Sequence, residues 1–125
     1  MAIGFERNDA SRRVVITVQG AFELADILAV IERQRVEHAR SYGLLYDLRG
    51  MTGSPNIDDL RQVLSEGTQS RPDEPLRGPI ALLVTNPVLY GVACTYAALG
   101  RSKLTVEVFR DWDEADRWLA AHASP

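Results

Sequence analysis

The chain has 125 residues, one domain's worth, since single cores divide only above roughly 250 residues. Hydrophobic residues make up 46% and charged residues 25%, which excludes a disordered, collagen-like or disulfide-stapled chain. The formal net charge of -3 excludes a general nucleic-acid binder, which needs a positive face for phosphates.

The chain opens on a strand candidate, Ile3 to Arg7. Glu6 and Arg7 interrupt the apolar start, no apolar h-region follows, and Met1-Ala2 lacks the glycine that myristoylation needs, so no export signal or lipid anchor is expected. Asn8-Asp9-Ala10-Ser11 is turn chemistry, because Asn and Asp accept nearby backbone hydrogen bonds and tolerate left-handed geometry. Val14-Val15-Ile16-Thr17-Val18 is a strand with Val14, Ile16 and Val18 on one face. The link between these strands is too short for a parallel crossover and predicts a hairpin. From Glu23 to about Val36, Leu24, Ile27, Leu28 and Ile31 recur at helical spacing. Glu23 and Asp26 sit early and Arg33 and Arg35 late, as the helix dipole favours.

Leu44-Leu45-Tyr46-Asp47-Leu48 is nearly continuously apolar and predicts a central strand. Ser54 as cap, with Pro55 in the first turn, opens a second helix. Its expected inward face is Ile57, Leu60, Val63 and Leu64, and Gly67 ends it. Arg71 to Gly78 holds two prolines and four charges and reads as an exposed loop. Gly78 to Gly100 carries no charge and is long enough to span a bilayer. Thr85-Asn86-Pro87 breaks that stretch, so the expectation is a buried strand, Ile80 to Val84, feeding a helix capped by Asn86-Pro87 and stopped by Gly100, with no membrane span. Leu104 to Phe109 is the fifth strand. Asp111 and Glu114 form a capping box before a helix whose buried stripe is Ala115, Trp118 and Leu119.

The order β-β-α-β-α-β-α-β-α predicts an α/β fold. We expect a single open, mostly parallel five-stranded sheet with an antiparallel N-terminal edge strand, in one domain spanning 1–125, with right-handed crossovers.

Three motifs carry a family resemblance. Leu44-Leu45-Tyr46-Asp47-Leu48-Arg49-Gly50 resembles a strand end of the SpoIIAA-like proteins, small bacterial STAS-type domains related to anti-sigma-factor antagonists. Val106-Glu107-Val108-Phe109-Arg110-Asp111, with Glu114-Ala115 and Trp118-Leu119, resembles that group's closing strand and helix. Thr85-Asn86-Pro87-Val88-Leu89-Tyr90-Gly91 resembles its helix start. The similarity covers nearly the whole chain in order. It implies an open STAS-like sheet and a binding or regulatory role without known chemistry. STAS domains that act as phosphorylation switches carry a D-S-S-G-type loop after the central strand. The corresponding stretch here, Gly50-Met51-Thr52-Gly53-Ser54-Pro55, lacks that motif, though Thr52 and Ser54 supply hydroxyls.

In an open parallel sheet, ligands bind beyond the carboxyl ends of the strands. Those ends bring Phe22, then Asp47 with Arg49 and Met51, then Asn86 with Tyr90, then Arg110 with Asp111. Each also has a structural job available: Asn86 and Asp111 cap helices, Asp47 receives backbone N–H groups, and Phe22 and Met51 pack. As a group, Asp47, Arg49, Met51, Asn86, Tyr90 and Asp111 are the candidate ligand-binding set. The Arg49 fork suits a carboxylate or phosphate, or a pairing with Asp111. No cofactor and no catalytic set is read. His38 and His122 lack partners at ligand spacing, so no metal site is expected. Cys94, the one cysteine, packs in a small apolar helix and implies a reducing, cytoplasmic setting.

Three functions compete on this reading. The first is a non-enzymatic STAS-like module binding a protein partner or a small anionic or apolar ligand. The second is a carrier of an apolar ligand, as the related CRAL-TRIO lipid-transfer proteins suggest, with a cavity behind the third helix lined by Val88, Val92 and Tyr96. The third is an enzyme using Asp47, Arg49 and Asp111. Any phosphorylation is expected at Ser54 or Thr52, where a helix start favours a phosphate. The third helix has apolar faces beyond what one sheet covers, and predicts a two-fold homodimer.

Overall fold

A computed structural model describes residues 1–122. Strands β1 (Ala2–Asn8) and β2 (Arg13–Ala21) lead into helix α1 (Leu24–Val36). Then follow β3 (Gly43–Thr52), α2 (Ile57–Thr68), β4 (Ile80–Leu83), α3 (Pro87–Gly100), β5 (Val106–Phe109) and α4 (Trp112–Ala121). The five strands form one sheet in the order β1-β2-β3-β4-β5. β1 is antiparallel to β2 and the other pairs are parallel, the expected architecture. The hairpin turn closes as its residues dictate. Asn8 Oδ1 accepts from Ser11 N–H at 3.0 Å, and Arg12 takes positive φ at 51°.

Strand parity separates two layers. Val14, Ile16, Val18, Leu44, Tyr46, Ile80, Leu82 and Val106 join residues of α1 and α3 in one core. Leu45, Ala81 and Leu83 face the other way, against Ala115 and Leu119 of α4. Each crossover steps one strand in the same direction, so a common handedness puts α1, α2 and α3 on one face. Helix α4 alone covers the opposite face, over β3, β4 and β5. Arg13 on β2 pairs with Asp116 at the margin of α4, and beyond it Ala2, Gly4 and Glu6 of β1 are exposed.

Several local expectations are corrected. β3 runs on to Thr52, so Arg49 to Thr52 are strand rather than loop. Ser54 is not the α2 cap. Asn56 is: its side chain accepts from Asp59 N–H at 2.8 Å, and Asp59 Oδ2 accepts from Asn56 N–H at 3.1 Å. This reciprocal box starts the helix two residues later and leaves Ile57 43% exposed. Gly67 lies inside α2, buried. The buried face of α1 is Ile27, Val30, Ile31 and Gln34, rotated from the expected stripe. The cap of α4 holds in its one-armed form, Glu114 N–H donating to Asp111 Oδ2 at 3.0 Å.

The loop from 71 to 78 is exposed only in part. Its Glu74 is held by Arg35, Nε to Oε1 at 2.9 Å, and by Arg40. Gly78 is buried and donates to the Arg40 carbonyl at 3.0 Å. A Cβ there would overlap the carbonyl oxygens of Ser41 and Tyr42, so only glycine lets this strand entry cross the α1–β3 link.

The cap assignments are testable by denaturant titration. Asn56→Ala should cost about 1 kcal/mol, Asp111→Ala about the same, and Ser54→Ala close to nothing. A Ser54→Ala loss equal to that of Asn56→Ala would restore Ser54 as the cap.

Candidate functional site

The carboxyl ends of β2 to β5 form a rim whose arginines are already engaged. On β3, Arg49 grips Asp47 in a fork, Nε to Oδ1 and Nη2 to Oδ2 both at 2.9 Å. Arg49 N–H adds a bond to Oδ1 at 3.2 Å. The Arg49 side chain's hydrogen bond is the main cause that holds the Asp47 carboxyl below its ordinary range. The guanidinium lies 5.7 Å from the centre of the Trp112 ring, so Arg49 meets the start of α4 through an aromatic face rather than through Asp111. The Asp111 carboxylate serves the helix cap. Beside it, Arg110 stacks on Tyr90 at 3.9 Å from the ring centre. Asn86 Oδ1 accepts from Val88 N–H at 2.8 Å and Leu89 N–H at 3.2 Å, starting α3. Thr52 and Ser54 are both exposed.

Met51 and Phe22 turn away from this rim. Between Thr17 and Gln19 the β2–β3 register slips, so that Asp47 to Gly50 oppose one residue fewer. Such a bulge reverses the side-chain alternation. Tyr46 and Leu48 face the helices, and the extra residue puts Met51 on that same face, 7% exposed. The expected set is thus divided. Asp47, Arg49, Asn86, Tyr90 and Asp111 stay at the rim, and Met51 lines a cavity with Phe22.

That cavity lies between the sheet and helices α1, α2 and α3 and has a volume of about 90 Å³. Its walls are apolar, among them Ile31, Leu60, Val63, Leu82 and Leu89. Val92 and Tyr96 line it as expected, whereas Val88 is 67% exposed and faces solvent. Three polar side chains border it: Tyr46, Tyr96 and Arg77. Burial pushes both phenols up, so they remain neutral hydrogen-bond donors. Burial pushes the Arg77 pKa down; the neighbouring Tyr46 and Tyr96 work against that, and the charges of Arg40 and Arg35 with it. Arg77 Nη2 donates to Gln34 Oε1 at 2.8 Å. Sequence reasoning missed Arg77 because it was assigned to an exposed loop. The signal available was an arginine directly before a buried strand entry, Gly78-Pro79-Ile80.

Cys94 is half-buried on α3. Among the described residues, no group of three or more His, Cys, Asp or Glu could hold a metal ion. Among the described residues, no helix is long and apolar enough to cross a membrane.

The overall fold has close counterparts among solved structures. One is an uncharacterized protein of the DUF3478 family with a SpoIIAA-like fold, from Shewanella loihica PV-4. It is 18% identical, with a TM-score of 0.61 over 94% of this chain and 92% of that one. The fold is SpoIIAA-like. A second counterpart is an anti-sigma factor antagonist from Mycobacterium paratuberculosis. It is 16% identical, with a TM-score of 0.54 over 94% of each chain. No family model matches the chain, and no curated protein is similar to it in sequence.

The Asp47–Arg49 pair has a defined pH signature. The folded pKa of Asp47 is lowered, so its contribution is present above the unfolded value of about 3.9 and is lost as pH falls through the folded value. Arg49 is 46% exposed, which limits the pair to about 0.5–1 kcal/mol at neutral pH. Asp47→Asn should lose that amount at pH 7 and match wild type well below pH 4. A constant difference across the range would show that the carboxylate's charge is not what stabilises the strand end.

Proposed function

We propose that this chain is a non-enzymatic regulatory module that binds a protein partner through the rim at the carboxyl ends of its strands. The observation that carries the reading is the pairing of arginines with partly exposed aromatics there, Arg49 with Trp112 and Arg110 with Tyr90. Trp112 is 38% exposed. Arginine, tryptophan and tyrosine dominate the binding energy of protein interfaces, because they combine large contact area with a polar handle. The likeness to an anti-sigma factor antagonist supports a regulatory role. The engaged state of Arg49 and Asp111 argues against an enzyme built on Asp47, Arg49 and Asp111, since their polar groups hold one another and a helix start.

The lipid-carrier reading is the weaker alternative. A cavity of about 90 Å³ is well below the roughly 300–1,000 Å³ of pockets that enclose drug-sized ligands. If phosphorylation switches the module, the acceptors are the exposed hydroxyls of Thr52, the last residue of β3, and of Ser54, two residues beyond it.

A second association, with another copy of the chain, is supported by α3. Its Val88, Gly91, Thr95, Ala98 and Leu99 are all exposed and uncharged, a stripe at helical spacing. A two-fold axis would bury it on both copies.

Site-specific photo-crosslinking in the native cell tests the rim. A benzophenone side chain in place of Trp112 should capture a partner protein that the same group in place of Glu6, on the far edge strand, does not. Capture of the same proteins from both positions, or of none, would overturn the proposal. Sedimentation tests the dimer. Wild type should sediment as a dimer at tens of micromolar and Val88→Glu as a folded monomer. A wild-type monomer under those conditions would remove the reading.

A further inference from the structure

The cavity beneath α2 and α3 is bordered by a charge, Arg77, that no carboxylate among the described residues neutralises. Arg77 reaches it from the loop before β4 and donates to Gln34, itself 1% exposed and neutral. Among the described residues, no carboxylate pairs with Arg77. Of the two carboxylates in the same loop, Asp73 is exposed, and Glu74 is taken by Arg35 and Arg40, with Arg71 at 3.7 Å. The surroundings therefore carry an excess of positive charge, and the guanidinium sits mostly out of water. A buried cation costs several kcal/mol unless an anion and hydrogen bonds compensate it.

Two further donors border the same space. They are the hydroxyls of Tyr46 and Tyr96, which burial keeps neutral. A Cβ built on Gly67 would stand 3.9 Å from the Tyr96 hydroxyl and 4.0 Å from Arg77 Nε. The absent side chain at Gly67 thus leaves open the place where Tyr96 and Arg77 come together. The rest of the wall is apolar.

We propose that this cavity is a binding site for a small apolar monocarboxylate, its carboxylate on Arg77 with Tyr46 and Tyr96 and its body against Leu60, Val63 and Val92. A planar carboxylate matches the guanidinium fork, and its single charge matches the single uncompensated cation. A phosphate dianion would bring a second charge that no other group facing the cavity offsets. At about 90 Å³ the cavity is smaller than the ~150 Å³ apolar cavity that accepts a benzene ring, so the body is a short straight or branched chain, not a ring or a lipid tail. The inference is independent of the partner proposed for the rim and stands or falls without it.

Calorimetric titration with butyrate, isobutyrate and isovalerate, each beside its neutral alcohol, tests it. At least one acid should bind wild type tenfold or more tightly than its alcohol. Arg77→Gln should abolish that preference while leaving alcohol binding unchanged. Methyl NMR on the wild-type protein gives a second reading that does not require the variant to fold. The bound acid should shift the methyl signals of Leu60, Val63 and Val92 and leave those of Leu119, under α4, in place. The proposal is overturned if no acid outbinds its alcohol, if Arg77→Gln keeps the preference, or if the methyl shifts fall outside the cavity.

Discussion

Strand β3 carries apolar side chains on both faces over Leu44, Leu45 and Tyr46, all buried, so it can neither stand at the edge of the sheet nor leave either face to water. Everything else is placed relative to that constraint. Leu44 and Tyr46 require a helical layer on one side, which α1, α2 and α3 supply. Leu45 requires cover on the other, which α4 supplies with Ala115 and Leu119. Because one helix suffices only for β3 to β5, β1 and the outer part of β2 keep polar or small residues on the uncovered face. Glu6 and Gly4 at the edge belong to that pattern, and a charged edge strand discourages pairing with another sheet.

The bulge that follows on β3 decides what the strand ends can do. Without the extra residue, Met51 would point to the α4 side and an exposed residue would take its place in the core. With it, the strand delivers the Asp47–Arg49 pair to the rim and Met51 to the cavity. Gly50 makes the bulge possible, since a Cβ there would stand 3.0 Å from the Gln19 side chain and 3.1 Å from the Val18 carbonyl. Met51 was grouped with Asp47 and Arg49 by its place at the strand's carboxyl end, and position along the chain does not say which face of a bulged strand a side chain takes. A one-residue slip leaves no trace in composition beyond the Arg49-Gly50 step.

The architecture itself was legible because it rests on periodicity and on helix starts. Asn86 and Asp111 cap where a short polar side chain precedes an apolar run, and the apolar strands fall where β-branched and leucine residues cluster. Less legible was anything that depends on long-range partners. Ser54-Pro55 offered a plausible cap, and Asn56 prevailed because Asp59 could return the hydrogen bond. The loop with two prolines looked solvated, and it is instead tied down by Glu74, whose attachments to Arg35 and Arg40 lie 39 and 34 positions back along the chain. Such a pairing is invisible to any local rule, and with it went the placement of Arg77.

The electrostatics of that loop explain why no carboxylate among the described residues pairs with its Arg77. Desolvation, the largest single influence on Glu74, pushes its carboxyl up, and the hydrogen bond from Arg40 with the charges of Arg35, Arg40 and Arg71 more than offsets it, so the net pKa is lowered. Glu74 therefore stays ionised at neutral pH and fastens the loop to the end of α1 and the segment after it, an attachment lost as pH falls through the lowered pKa. In fastening the loop it also fixes Arg77, three residues on, against the cavity. Proline at position 75 and the buried Gly78 leave little freedom between these points. One carboxylate cannot serve three arginines and reach a fourth. The loop is thus anchored by the neutralised part of its charge and presents the remainder to an apolar space, an arrangement that costs stability in the empty protein and gains it back when an anion arrives.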